Sequence, residues 1–201
     1  LIIFAFILPT KEIATGLVEE KELRLREGLL LTGVPTSLYW ASWWVTSFDI
    51  LTATSACMAM LGSYAFSYSS AWVMFLFYEL CAFAVVSMAF FFSTLFQSAK
   101  VASVLVVFAY IAFRIPGTVA EVMYPDGSPL YQYLCILPPC AIGMFVRALV
   151  TLEIGQFGLR IETLHTDILD NPDHPFTALD AMLWLVFDGF LYAALCWYAD
   201  A

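Results

Sequence analysis

The sequence contains few charged residues, and few of those are basic. Only 12% of its 201 residues are charged and 62% are hydrophobic, whereas a soluble domain has about 25% charged and about 45–50% apolar residues. This composition excludes a water-soluble globule and also a disordered chain. Lysine and arginine total 8 against 17 aspartate and glutamate residues. No basic face can therefore form for phosphates, which excludes nucleic acid as a partner.

Histidine is also scarce, and signatures of catalysis are missing. The sequence has two histidines and no G-x-x-x-x-G-K-[ST] phosphate-binding loop, so we predict no catalytic residues and no ATP binding by this segment itself. Both histidines lie in one acidic loop, His165 and His174 with Asp167, Asp170 and Asp173. The spacing of these side chains matches no standard metal site, and we predict no metal.

Long hydrophobic runs are what the sequence has in abundance. Each run can cross a bilayer as an α-helix, the only open-ended structure that satisfies its own backbone in lipid. The predicted spans are residues 38–61, 71–96, 100–116 and 181–199, and residues 1–8 are predicted to be the end of a further span. The predicted fold class is therefore all-α, a polytopic transmembrane helix bundle.

The positions of lysine and arginine predict which loops lie on which side of the membrane. The positive-inside rule assigns residues 9–37, which carry four basic side chains, and residues 97–100, which carry Lys100, to the cytosol. Alternation of the spans then makes residues 62–70 and 114–180 extracellular or lumenal.

The second external segment has two predicted parts. Residues 119–152 are apolar but interrupted by prolines, which favours an external helical hairpin that re-enters the outer leaflet over an ordinary span. Residues 153–180 are predicted to be an external loop. Cys135 and Cys140 flank two prolines in the hairpin, and a disulfide between them requires the chain to fold back there. The sequence leaves that pairing open.

A charged helix is predicted over residues 15–33, with Thr15 as its N-cap. Its acidic residues precede its basic ones, which complements the helix dipole, and two acid–base pairs are spaced four residues apart. This charged helix is predicted to dock a cytosolic partner; the alternative is a solvated loop that only sets orientation. The charged side chains that we assign to the docking role are Glu19, Glu20, Lys21, Glu22, Arg24, Arg26 and Glu27.

Four motifs in order resemble one known family. Residues 20–27 (EKELRLRE), followed by residues 32–34 (TGV), resemble the "EKE…RL.E…MG" segment of the A subfamily of ATP-binding cassette transporters. Residues 93–96 (STLF) resemble the family's turn between the fourth and fifth spans, and residues 137–143 (LPPCAIG) its external hairpin. Residues 188–198 are similar to the "D..LY….WY" pattern of its sixth span. The resemblance extends over nearly the whole chain.

The resemblance implies a function for the chain. It implies a partial transmembrane domain of an exporter-type transporter half, in which residues 15–33 are the coupling helix that rests on a nucleotide-binding domain. That domain, absent from residues 1–201, would bind ATP and Mg and would make the parent protein an ATPase-coupled transporter of lipids or other apolar molecules. The implied partners are this nucleotide-binding domain of the same chain, a second transmembrane half and membrane lipids.

Three acidic residues lie inside predicted spans, at Asp49, Glu79 and Asp188. A charge at mid-bilayer costs about 2.5–3.5 kcal/mol on insertion scales, so each carboxylate needs a partner, water or a proton. They are predicted either to form a polar seam between helices or to make structural interhelical hydrogen bonds.

Two other classes of function stay open from the residues alone. One is a membrane scaffold or receptor segment that transports nothing, and the other is a passive channel. A wide aqueous pore requires several polar residues on one face of a span. Three of the predicted spans carry one acidic residue each, at Asp49, Glu79 and Asp188, which argues against such a pore.

Overall fold

The computed structural model describes residues 5–124, 129–167 and 175–200. Over these residues the regular structure is helical, with one isolated bridge between Asp167 and Thr177. The helices are α1 Ile7–Glu22, α2 Leu25–Leu31, α3 Thr36–Ala65, α4 Ala71–Leu95, α5 Ala99–Met123, α6 Leu130–Leu134, α7 Pro138–Ile154, a 3₁₀ turn Ile161–Thr163 and α8 Ala178–Asp200. The all-α prediction is confirmed.

Four of these helices, α3, α4, α5 and α8, are long and apolar enough to cross a membrane. They coincide with the four predicted spans, but α5 continues to Met123, beyond the predicted end at residue 116. Pro116 lies inside α5 and does not end it. An ion pair between Arg114 and Glu121 at 2.7 Å spans this proline, which removes one hydrogen bond from the helix interior.

Helix α4 is the centre of the bundle. Of its most apolar window, 72% is buried, against 22% for α3 and for α5. It packs against α8, α3 and α1, while α1 also lies along α5 and α7 lies between α5 and α8. Ring contacts hold α4 to its neighbours: Phe77 stacks on Phe145 of α7 with centroids 3.6 Å apart, and Phe83 meets Phe190 of α8 edge-on at 5.2 Å.

The first described helix differs from the prediction. Residues 7–22 form one continuous helix, so Thr15 does not cap a helix, and Ile7 and Leu8 of the predicted span end begin this helix. Residues 1–4 of that prediction lie outside the described residues. One side of α1 is buried against α4 and α5, at Thr10, Ile13, Ala14, Leu17 and Val18. This i, i+3, i+4, i+7, i+8 spacing is that of a helix with one buried face. Residues 9–14 were predicted as part of a loop, and the structure instead places them in α1, with one face buried in the bundle.

The predicted helix of residues 15–33 is broken. The chain turns at Leu23 and Arg24, where Arg24 has φ 55° in the left-handed region, and α2 begins afresh at Leu25. The break separates each predicted acid–base pair. Glu20, Glu22 and Arg26 bond instead to side-chain or backbone groups of α3, α5 and α8. Helix α2 ends at Leu31 and buries none of its residues.

Within the predicted hairpin of residues 119–152, the structure describes the last turn of α5, which ends at Met123, and the helices α6 and α7, joined by a turn at residues 135–137. Helix α7 starts with two prolines at its first positions, where a missing N–H costs nothing. The thiol of Cys140 donates to the carbonyl oxygen of Phe113 at 2.9 Å. Cys135 and Cys140 are both buried, free thiols, so the turn does not close a disulfide.

The bundle has two distinct ends. We call the charged end the one where α1 and α8 finish, α3 begins and α4 turns into α5. We call the hairpin end the opposite one, where α3 turns into α4, α7 finishes and α8 begins. The predicted loops 97–100 and 62–70 lie at opposite ends, as alternation of the spans requires.

Candidate functional site

The charged segment, residues 19–27, contacts three spans at the charged end by hydrogen bonds from α1. The indole N–H of Trp43 in α3 donates to Glu20 at 3.0 Å. Lys21 donates to backbone carbonyl oxygens at the end of α4, at 3.2 and 3.3 Å, and Glu22 accepts the backbone N–H of Ala99, which begins α5, at 2.9 Å. The carbonyls at the end of a helix and the N–H groups at its start lack intrahelical partners, so these side chains complete both helices.

The fourth span is held by Arg26. Its guanidinium makes a two-pronged ion pair with Asp200, the last residue of α8, at 2.5 and 2.6 Å. The indole N–H of Trp40 also donates to Asp200, at 3.2 Å, and the guanidinium lies 5.5 Å from the ring centres of Tyr39 and Trp40. The hydrogen bond with Asp200 raises the pKa of Arg26. The charged segment thus contacts all four spans.

The outer side of the charged segment and α2 has no partner within the described residues. Glu19, Arg24 and Glu27 are exposed, and their side chains make no hydrogen bond or ion pair there. Five leucines are exposed beside them: Leu23, Leu25, Leu29, Leu30 and Leu31, the last at 90%. A small surface that mixes exposed leucines with free charges of both signs has the chemistry of a protein interface.

The three intramembrane acids lie apart in different environments. Asp49 of α3 is exposed on the surface of the bundle. Glu79 of α4 accepts the hydroxyl of Thr52 at 3.2 Å, while its second oxygen is buried without a partner among the described residues. Asp188 of α8 is fully buried, and neither of its oxygens has a hydrogen-bond partner in the described part of the chain. No hydrogen bond joins any two of the three.

An ion pair inside the bundle was missed by the sequence reasoning. Arg114 and Glu121 lie two turns apart on α5, with side chains 16% and 21% exposed. The guanidinium fits against Gly143 of α7, where a Cβ would lie 2.5 Å from its central carbon. Only glycine leaves room for this contact, which ties α5 to the hairpin. The i, i+7 spacing of two opposite charges in an apolar helix was the available signal.

The acidic loop with two histidines is described only in part. Asp170, Asp173 and His174 lie outside the described residues. Asp167 accepts the backbone N–H of Phe176 at 3.0 Å, so one of the five candidate ligands helps to hold the chain at the start of α8. Elsewhere in the described ranges no three metal-ligating side chains cluster.

The fold and this site define a class, an all-α polytopic membrane domain whose spans are joined at one end by a charged segment. Residues 1–198 match the model of the ABC-2 family transporter proteins, and the chain belongs to that family.

The similar curated proteins are members of ATP-binding cassette subfamily A, which confirms the predicted family. The chain is 28% identical to the retinal-specific phospholipid-transporting ATPase ABCA4 of Mus musculus, over 98% of the chain and 9% of that protein. It is 28% identical to ATP-binding cassette sub-family A member 7 of Rattus norvegicus, over 92% of the chain and 9% of the relative. It is 27% identical to ABC transporter A family member 2 of Dictyostelium discoideum, over 100% of the chain and 12% of that protein. The chain thus spans about a tenth of the length of these relatives.

Proposed function

We propose that this chain is the membrane-spanning part of an ATP-driven transporter that moves lipids or other apolar molecules. The charged segment and α2 receive force from a separate nucleotide-binding domain, which supplies ATP and Mg. One observation carries this proposal: the charged segment contacts all four spans at one end of the bundle. A push on this short segment therefore reaches each span directly.

The exposed side of the segment supports docking. Its free charges, Glu19, Arg24 and Glu27, point away from the bundle together with the leucines of α2. Because the inner side is already bonded to the spans, the outer side is available for a partner without loss of internal contacts. A solvated loop that only sets orientation has no need of exposed leucines, so this surface favours docking over that alternative.

The orientation of the bundle in the membrane is inferred from the basic residues at the charged end. Lys21, Arg24, Arg26 and Lys100 all lie at the charged end, and basic loop residues favour the cytosolic side. We therefore assign the charged end to the cytosol, where a nucleotide-binding domain has access to ATP, and the hairpin end to the extracellular or lumenal side. A second transmembrane half completes the transporter.

An apolar cargo is supported by the surface of the bundle. A groove of about 400 Å³ lies between α1 and α5, and its lining is aliphatic apart from Tyr110, Arg114 and Thr118. One relative is named a phospholipid-transporting ATPase, and we extend that cargo class to this chain.

Reversal of one exposed charge tests the coupling role. In the full-length protein Arg24→Glu should lower transport and lipid-stimulated ATP hydrolysis about tenfold or more, on the order of 1.4 kcal/mol of lost coupling, because docking contacts are lost. Membrane insertion and thermal stability should stay unchanged, since Arg24 has no partner within the described bundle. Transport is measured in proteoliposomes with a fluorescent phospholipid.

The matched control is Lys100→Glu, which makes the same charge change at the same end but outside the charged segment. It should retain transport. Normal transport and normal lipid-stimulated hydrolysis in Arg24→Glu would contradict the docking role of the segment.

A further inference from the structure

A groove at the charged end of the bundle is lined mainly by aromatic rings, and the proposed coupling role does not use it. Helices α3 and α8 both pack against α4, and a groove of about 210 Å³ lies between them. Four of its seven lining side chains are aromatic, Trp40 and Trp44 of α3, Phe90 of α4 and Trp197 of α8. The groove between α1 and α5 has one aromatic side chain, Tyr110, among seven, so an aromatic lining is specific to this place.

The spacing of the lining residues explains why the rings meet there. Trp40 and Trp44 are four residues apart and therefore share one face of α3. On α8, the lining residues 193, 196, 197 and 200 have the i, i+3, i+4, i+7 spacing of one helix face. The ring centre of Phe90, which is buried, lies 5.4 Å from that of Trp40 and 5.2 Å from that of Trp44. Packing between α3 and α4 therefore holds these rings in place before any ligand binds.

The polar end of the groove has its hydrogen-bonding capacity largely used. Asp200 lines the groove, and its carboxylate accepts two hydrogen bonds from Arg26 and one from the indole N–H of Trp40. A primary ammonium would leave water and find few free acceptors for its N–H groups here, which costs free energy. A quaternary ammonium has no N–H group to satisfy, and the faces of aromatic rings attract it.

Two of the three indole rings are available to such a cation. The guanidinium of Arg26 already lies 5.5 Å from the ring centre of Trp40. Within the described part of the chain no cation lies over the ring of Trp44 or that of Trp197, and Trp197 is 80% exposed. Tryptophan is the aromatic residue that attracts cations most strongly.

The groove lies at the depth of lipid headgroups. Trp40 and Trp44 come four and eight residues after the start of α3 at Thr36, which is about 6 and about 12 Å along the helix. Trp197 comes three residues before the end of α8 at Asp200. A volume of about 210 Å³ is smaller than the about 300–1,000 Å³ of sites that enclose a drug-sized ligand. The groove therefore fits a small headgroup and leaves the acyl chains outside.

We propose that this groove binds the trimethylammonium headgroup of choline lipids in the cytosolic leaflet. The headgroup lies against Trp44 and Trp197, beside the paired carboxylate of Asp200, and the acyl chains follow the outer surfaces of α3 and α8 into the bilayer. This inference rests on the proposed function, which assigns the charged end to the cytosol. It adds a headgroup preference that the cargo class does not specify.

Lipid binding without ATP tests the proposal in the full-length protein. Native mass spectrometry of the purified transporter gives an apparent affinity for phosphatidylcholine and for phosphatidylethanolamine with the same acyl chains. The unchanged protein should bind phosphatidylcholine about fivefold or more tightly than phosphatidylethanolamine. Trp197→Leu should remove this preference, because leucine keeps an apolar surface and lacks the ring. Trp197→Phe, which keeps a ring, should retain part of it.

The matched control is Trp72→Leu. Trp72 is 67% exposed and lies in the first turn of α4, at the hairpin end, so the same substitution falls at the opposite interface and should leave the preference intact. The unfolding midpoint of Trp197→Leu should be unchanged, since Trp197 is exposed. Three results would overturn the proposal: equal affinity for the two lipids in the unchanged protein, an unaltered preference in Trp197→Leu, or loss of the preference in Trp72→Leu as well.

A failure of this inference is distinguishable from a failure of the proposed function. ATP-driven lipid movement in proteoliposomes tests the proposed function, and it requires no headgroup preference. A choline preference that depends on Trp197, with no ATP-driven movement of any lipid, would overturn the proposed function and leave the headgroup site. ATP-driven movement with equal binding of the two lipids would overturn the headgroup site alone.

Discussion

The two ends of the bundle are stabilised in different ways. At the hairpin end Glu153 accepts the backbone N–H of Tyr68 and the hydroxyl of Ser69, at 3.0 and 2.7 Å. The backbone N–H of Ser70 donates to Leu159, so short loops satisfy one another's backbone groups. At the charged end, side chains of one segment reach helices that are far away in sequence, as in the Arg26–Asp200 pair, separated by 174 residues.

The difference concerns how each end is tied together. At the hairpin end, Glu153 and Ser69 link neighbouring loops, and apolar side chains such as Ile154 and Phe157 are exposed there as well. The charged end joins four spans through one segment and still presents leucines and free charges on its outer side. The first arrangement is suited to holding helix ends in place, and the second to receiving a contact from outside and passing it on. Changes at each end should therefore affect different measurements.

The largest effect is expected from Arg26→Glu. This change removes the two-pronged pair with Asp200, whose side chain is 20% exposed, and sets two carboxylates against each other. Partly buried pairs lie between the surface and buried limits, so we expect a loss of about 1–3 kcal/mol in stability, together with loss of transport. Thermal unfolding in detergent measures the first and proteoliposome transport the second.

Arg24→Glu is the control for the stability effect of Arg26→Glu, because it makes the same charge change on an exposed side chain. The charge-swapped double variant Arg26→Glu with Asp200→Arg should recover stability. If Arg26→Glu alone has the same unfolding midpoint as the unchanged protein, the Arg26–Asp200 pair does not hold α8.

An intermediate effect is expected from Glu153→Ala at the hairpin end. This change removes the acceptor of two hydrogen bonds, which costs about 1–2 kcal/mol in stability and should lower the unfolding midpoint. Docking of the nucleotide-binding domain, and hence basal ATP hydrolysis, should stay normal. Glu162→Ala, on an exposed residue of the same end, is the control. A drop in basal hydrolysis with no change in stability would contradict the division of roles between the two ends.

The smallest effect is expected from Lys21→Met. Its ammonium is exposed and bonds two carbonyls at 3.2 and 3.3 Å, and water can replace it there. The unfolding midpoint should change by about one degree or less, and transport by less than in Arg24→Glu. A loss as large as that of Arg26→Glu would show that the link to α4, and not that to α8, holds the charged segment.

Several features were predictable because they are local. The spans follow from apolar runs, since each helix in a bilayer satisfies its own backbone. The ends of α4 and α8 lie within three residues of their predictions. The family followed from ordered motifs that the match over residues 1–198 confirms. The location of the charged segment at one end followed from its composition.

Other features depend on contacts that the order of residues does not display. The buried face of α1 carries a spaced apolar pattern, but nearby charges such as Lys11 and Glu12 concealed it. At the break near Arg24, Glu22 and Arg26 bond to α5 and α8 in place of the predicted pairs within one helix. Arg114 lies near the end of the predicted span of residues 100–116, but only the structure shows that it is buried against Gly143.

The sequence by itself determined the solvent in which this protein folds, the number of apolar helices and their alternation across the bilayer, because the cost of unpaired backbone in lipid acts within each segment. Only the tertiary structure decided which charge meets which. Helix packing decides that Arg26 reaches Asp200, that Asp188 is buried with no hydrogen-bond partner among the described residues, and that Asp49 is exposed. Electrostatic energy depends on distance in space, and packing alone sets that distance.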